Sequence, residues 1–114
     1  MRVLIVDDDA LMRDLASFGL SMDPAFDVRE ADSGAAALAM LDSWRPDLVL
    51  LDMQMPEMSG AETFARLPPG LSVAIMTATP EEAAPLLAQG AIGVIAKPID
   101  PAALADAVRS IKAD

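Results

Sequence analysis

LVLLDMQMPEMSG, residues 48–60, runs from four consecutive apolar side chains into an acid, and from there through a Met-Pro pair to a glycine. An unbroken aliphatic run without polar alternation is the pattern of a strand covered on both faces, as in a parallel sheet. The acid at its end, Asp52, then stands where such a strand stops, and Pro56 and Gly60 punctuate the way out of it. Three more runs share this character: Val3–Val6 (VLIV), Val73–Met76 (VAIM) and Ile92–Ala96 (IGVIA). A weaker strand is expected at Asp27–Ala31, where Val28 and Ala31 are apolar and Arg29 and Glu30 suit a sheet edge.

Helical patterns fill the gaps. Leu11, Leu15, Phe18 and Met22 fall at offsets 0, 4, 7 and 11, along one helix face. Ser33–Trp44 opens on a Ser cap candidate and ends before Pro46. A short helix is predicted around Gly60–Leu67, stopped by Pro68-Pro69-Gly70. Thr79-Pro80-Glu81-Glu82 has the form of a capping box with Pro at the first helical position, and Pro85 should leave that fourth helix short or kinked. The last helix starts after Asp100-Pro101, with Leu104, Val108 and Ile111 on one face. Five βα units in succession define an α/β fold, a parallel sheet with helices on both sides.

The 114 residues suit one compact domain over 1–114, with a separate output domain expected to be missing. A hydrophobic fraction of 54% is enough for a sizeable core. Eighteen acidic residues against eight basic ones give a net charge of −10, and no Lys/Arg cluster offsets it, so no direct nucleic acid partner is expected. With neither Cys nor His, thiolate sites, imidazole bases and His–metal sites are excluded. No apolar stretch approaches the ~20 residues of a membrane span, and the first is too short for a signal-peptide core, so the expected localisation is cytoplasmic.

In an open parallel sheet the reactive groups gather beyond the carboxyl ends of the strands. Asp7, Asp8 and Asp9 come after the first run, Asp52 after the third, Thr77 ends the fourth and Lys97 the fifth. Carboxylates brought together repel one another unless a cation binds or one takes a proton. Oxygen-only ligands select a hard ion, and Mg²⁺, which accepts a few carboxylates and keeps several waters, fits best. Asp9 is set apart as the cap of the first helix. A carboxylate beside such an ion can attack phosphorus in line, with an ammonium and a hydroxyl answering the charge on the transferring oxygens. Asp52, Lys97 and Thr77 can fill these roles without a histidine.

LIVDDD with Met12-Arg13 after it, LVLLDMQMPEMSG, AIMTA and AKP, in this order, resemble the response-regulator receiver domains of two-component phosphorelays. The likeness covers essentially the whole chain, and Asp-x-x-Met-Pro-x-x-x-Gly from Asp52 to Gly60 is its most specific part. It implies a flavodoxin-like, doubly wound five-stranded sheet in the order 2-1-3-4-5 with five helices. Asp52 is then the phosphoacceptor, and Asp7 and Asp8 are the acidic pair for Mg²⁺, completed by Asp52 and the main-chain carbonyl of Gln54. Thr77 is the hydroxyl that turns toward the phosphoryl group, with the small Ala78 next to it, and the bond from Lys97 to Pro98 is cis. Gln54 and Thr79 would border the path of attacking water.

The resemblance further implies a phosphohistidine donor on a histidine kinase or histidine phosphotransfer protein. It makes the domain a self-phosphorylating switch rather than an enzyme with its own substrate, one that alters the face around the fourth helix, fifth strand and fifth helix. A monomer or weak dimer is expected, acting on an output partner or output domain that the sequence does not name. One family feature is absent: the aromatic often found three positions before the lysine is here Val94. The route onward is then expected to be movement of the loop after Thr77 and of the fourth helix. Two other readings exist. A degenerate receiver would bind a partner without phosphorylation, and a haloacid-dehalogenase-like phosphatase would place the acyl phosphate near Asp7-x-Asp9.

Overall fold

The computed structural model describes residues 1–113. Its elements alternate as expected: β1 (Arg2–Val6), α1 (Ala10–Ser21), β2 (Asp27–Ala31), α2 (Gly34–Met40), β3 (Leu48–Asp52), α3 (Gly60–Arg66), β4 (Ser72–Thr77), a 3-10 turn (Pro80–Ala83), α4 (Ala84–Ala88), β5 (Gly93–Ala96) and α5 (Pro101–Ala113). The strands form one parallel sheet in the order β2-β1-β3-β4-β5, with β2 on the edge. Every residue of β3 is buried, as its uninterrupted aliphatic run requires. Each of its fully buried Leu and Val side chains contributes about 1.5–3 kcal/mol relative to exposure.

Side chains alternate across the sheet and build two cores. Val3, Ile5, Leu48, Leu50, Ala74, Met76 and Ile95 pack with Ala16 and Leu20 of α1 and with Leu104 and Val108 of α5. Leu4, Val6, Val49, Leu51, Val73 and Ile75 pack on the opposite face with Ala37 of α2, Leu86 of α4 and partly buried Phe64 of α3. Register ties the layers together: Ile5 lies beside Leu50, Leu50 beside Ala74 and Ala74 beside Gly93. Among the described residues, no helix is long and apolar enough to cross a membrane.

The caps obey local chemistry. Asp9 accepts the main-chain N–H of Leu11 at 2.9 Å, and Ser33 accepts that of Ala36 at 3.0 Å. Ser59 and Glu62 form a reciprocal capping box on α3. Beyond Met40 the second helix gives way to turns, with Ser43 and Trp44 both donating to the Met40 carbonyl. This brings the Trp44 ring inward, with the Arg29 guanidinium 4.7 Å above it, where the residue pattern predicts helix to Trp44. Pro85 sits in the first turn of α4, where its missing N–H costs no helical hydrogen bond, and α4 is only five residues long.

The stripe Leu11, Leu15, Phe18, Met22 lies on one face of α1, as its spacing predicts, and that face is turned outward: Leu11, Phe18 and Met22 are 62%, 63% and 69% exposed. The inward face carries Ala16, Gly19 and Leu20 with partly buried Met12, roughly 115° further round at 100° per residue. Small residues win this contact because α1 lies against the start of α5. A Cβ on Gly19 would fall 2.6 Å from the Pro101 carbonyl oxygen. The capping box expected at Thr79 is corrected: Thr79 makes no side-chain cap, and Glu82 turns instead to Thr77.

Candidate functional site

Period-two alternation decides which polar residues meet. Asp7 continues the face of Val3 and Ile5, Asp52 that of Leu48 and Leu50, and Lys97 that of Ile95, so all three share the side of the sheet covered by α1 and α5. Thr77 continues the face of Val73 and Ile75, on the side of α2, α3 and α4. Converging at the carboxyl ends of four strands, these residues and Asp8, Asp9, Gln54, Ala78, Thr79 and Glu82 line one open cavity of about 480 Å³.

Asp7 is fully buried and Asp52 is 4% exposed. Between them lies the Lys97 ammonium, 2.6 Å from Asp7 Oδ2 and 3.0 Å from Asp52 Oδ1. Lys97 reaches there because its main-chain N–H donates to the Thr77 carbonyl at 2.9 Å, next to the cis bond to Pro98. Asp7 is held further by the main-chain N–H of Asp9 on Oδ1, 2.9 Å, while Arg13 donates to the Asp7 carbonyl at 2.8 Å. Asp8 is exposed, at the rim of the cavity.

The electrostatics result from this crowding. Burial pushes the Asp52 carboxyl up to about 6, and the charge of Asp7 adds to the rise; hydrogen bonds from Lys97 and from the Gln54 main chain oppose it. Burial alone would lower Lys97, but the bonds to Asp7 and Asp52 outweigh it and hold the ammonium above its ordinary value. Lys97 is therefore charged throughout the neutral range. One oxygen each from Asp7, Asp8 and Asp52 lie within 4.8 Å of one another. A single ammonium cannot neutralise three carboxylates, and this all-oxygen donor set suits a hard divalent cation.

The ends of the Asp-x-x-Met-Pro-x-x-x-Gly stretch touch. Gly60 donates to the Met53 carbonyl at 2.9 Å, and a Cβ at Gly60 would sit 2.2 Å from the Asp52 carbonyl oxygen. Only glycine lets α3 begin that close to the reactive strand end. Glu57, at φ 66°, occupies the left-handed region within the turn.

Sequence reasoning missed Glu82. Its carboxylate accepts the Thr77 hydroxyl at 2.9 Å and the Gln54 side-chain amide at 3.3 and 3.4 Å. A residue five positions beyond a strand end reaches back because Pro80–Ala83 forms a 3-10 turn rather than an α-helix. The Thr-Pro pair is the visible signal, but it points equally to a helix cap.

A carboxylate nucleophile candidate beside an ammonium and an acidic pair, at the carboxyl edge of a 2-1-3-4-5 sheet, defines a doubly wound α/β protein with an Asp-based site. The chain belongs to the response regulator receiver domain family, whose model matches residues 3–109. It is 40% identical over 101 residues to a protein-glutamate methylesterase/protein-glutamine glutaminase of Syntrophomonas wolfei, an alignment covering 86% of this chain and 30% of that relative. It is 37% identical over 116 residues to the positive alginate biosynthesis regulatory protein of Pseudomonas aeruginosa, covering 96% of this chain and 46% of that one. The chain thus spans less than half the length of these relatives. Among solved structures, the chemotaxis response regulator CheY4 of Vibrio cholerae superposes with a TM-score of 0.85 at 29% identity, covering 96% of this chain and 97% of that one. The receiver domain of NtrX from Brucella abortus superposes with a TM-score of 0.86 at 26% identity, covering 97% and 98%.

Proposed function

We propose that this receiver is a phosphoacceptor switch in which Asp52 takes a phosphoryl group from a phosphohistidine on a histidine kinase or histidine phosphotransfer protein. The observation that carries this reading is the buried Asp52 carboxylate, 3.0 Å from the Lys97 ammonium and grouped with Asp7 and Asp8. An Asp52 oxygen attacks phosphorus in line. The new P–O bond forms as the P–N bond breaks, and the leaving imidazole nitrogen keeps the electron pair and takes a proton from solvent. Lys97 answers the charge on the transferring oxygens, and Thr77 donates its hydroxyl to one of them.

Asp7, Asp8 and Asp52, with the main-chain carbonyl of Gln54, are the residues that would hold Mg²⁺, which when bound neutralises carboxylate and phosphoryl charge. The chain then acts as the substrate of its donor, with only self-catalysed phosphorylation and dephosphorylation of its own. A cytoplasmic address fits such a donor. The exposed stripe of α1 starts at Leu11, two residues from the cavity wall at Asp9, and offers the donor protein an apolar footing beside Asp52.

Incubation with acetyl phosphate and Mg²⁺, read by intact mass and peptide mapping, tests the assignment. Label is expected on Asp52 and is lost in Asp52→Ala. Label on Asp7 would overturn it.

A further inference from the structure

Glu82 sits at a junction. It lines the site cavity together with Thr77 and Gln54, and it also lines a mainly apolar groove of about 410 Å³ between α3 and α4, with Met53, Ala61, Pro85 and Leu86. Its carboxylate holds two groups that face the phosphoryl position: the Thr77 hydroxyl and the Gln54 amide. Thr77, 2% exposed, has a single O–H to give. That proton cannot serve Glu82 and a phosphoryl oxygen at once.

We propose that Glu82 is the positioning residue of this switch: it holds Thr77 and Gln54 in the resting state and is displaced when Asp52 is phosphorylated. This rests on the reading of Asp52 as phosphoacceptor. A phosphoryl group brings close to two negative charges and three strong acceptors into the cavity. It competes for the Thr77 hydroxyl and repels the Glu82 carboxylate. Release of Glu82 loosens the 3-10 turn, which is then held to the end of β4 only at its start, where the Thr79 main-chain N–H donates to the Thr77 hydroxyl oxygen at 3.0 Å.

The segment after this turn is built to move. Glu82 ties the body of the turn to the site, beside the Thr77–Thr79 hydrogen bonds at the turn's start, and α4 beyond it is a five-residue helix that buries only Leu86. With Val94 on β5 there is no ring to carry the motion of Thr77 sideways, so the response passes along the chain, from Thr77 through Glu82 into α4. The groove between α3 and α4 changes with it because Glu82 is part of its wall.

The test compares wild type, Glu82→Ala and Glu82→Gln, with and without acetyl phosphate and Mg²⁺, by amide hydrogen exchange over residues 80–88 and by the rate of mass gain. Phosphorylated wild type should exchange faster in this segment than the resting protein. Glu82→Ala should show that faster exchange before phosphorylation, and should phosphorylate about fivefold faster, because a charge-assisted hydrogen bond to Thr77 no longer has to break. Glu82→Gln keeps an acceptor for Thr77 but not the charge, so it should restore slow resting exchange while keeping the faster phosphorylation. Equal exchange in residues 80–88 for resting and phosphorylated wild type would overturn the proposal while leaving Asp52 as the acceptor. Absence of phosphate on wild-type Asp52 would remove both readings.

Discussion

The two halves of the site are built by different means. Asp7, Asp52 and Lys97 come from three strands, on the same side of the sheet, and one ammonium joins residues 45 and 90 positions apart in the chain. Thr77 lies on the other side, and its main side-chain partner, Glu82, is only five residues further on. The first half is built around β3, every residue of which is buried; the second hangs on a 3-10 turn and a short helix with proline in its first turn. Chemistry needs the first kind of construction, because charges must be placed to within fractions of an ångström. A response needs the second, because a segment with few buried contacts opens at low cost.

The largest expected break in this contrast comes from Lys97→Ala. It leaves two buried carboxylates facing each other without an ammonium, and should cost on the order of 3 kcal/mol of stability at neutral pH. Urea unfolding checks the figure, and the loss should shrink at pH 5, where Asp52 can take a proton.

A smaller effect sharpens the electrostatic half. An Asp52 carboxyl in the unfolded chain loses its proton near 3.8, the folded one near 6, so between those values the folded state binds the extra proton. Its contribution to stability is therefore present at the acidic end and lost as pH rises to about 6. Carbon-detected NMR of the Asp52 carboxyl in metal-free buffer should give a midpoint near 6, and Mg²⁺ should lower it. A midpoint at the ordinary value of 3.8 would show that burial does not dominate this half.

The smallest expected change lies outside both halves. Phe18→Asp, on the exposed stripe of α1, should alter stability by no more than about 0.5 kcal/mol. Phosphorylation by acetyl phosphate should be unchanged, whereas transfer from a phosphohistidine protein should slow. Equal slowing with both donors would mean that the substitution reaches the site rather than the docking of a partner.

Much of this could be read from residues in order. Aliphatic runs announce buried strands because water exclusion on both faces leaves no place for polar alternation. Asp9, Ser33 and Pro85 act within a turn of their own position, so local chemistry suffices to predict them. The convergence of Asp7, Asp52, Thr77 and Lys97 was legible too, since parallel strands put their carboxyl ends at one edge.

Three things were not. Which face of α1 turns inward was decided by the close approach of Gly19 to Pro101, a contact between residues 82 positions apart that rewards the absence of a side chain and so escapes any count of apolar residues. The partner of Lys97 was decided by register and sheet alternation, which set Asp7 and Asp52 on its own side of the sheet and Thr77 on the other. The place of Glu82 was decided by the 3-10 geometry of its turn. The sequence by itself determined the alternation of elements and the chemical inventory of the site, because both depend on short-range pattern. Tertiary structure alone decided which of those groups touch, because contact depends on packing between segments far apart in the chain.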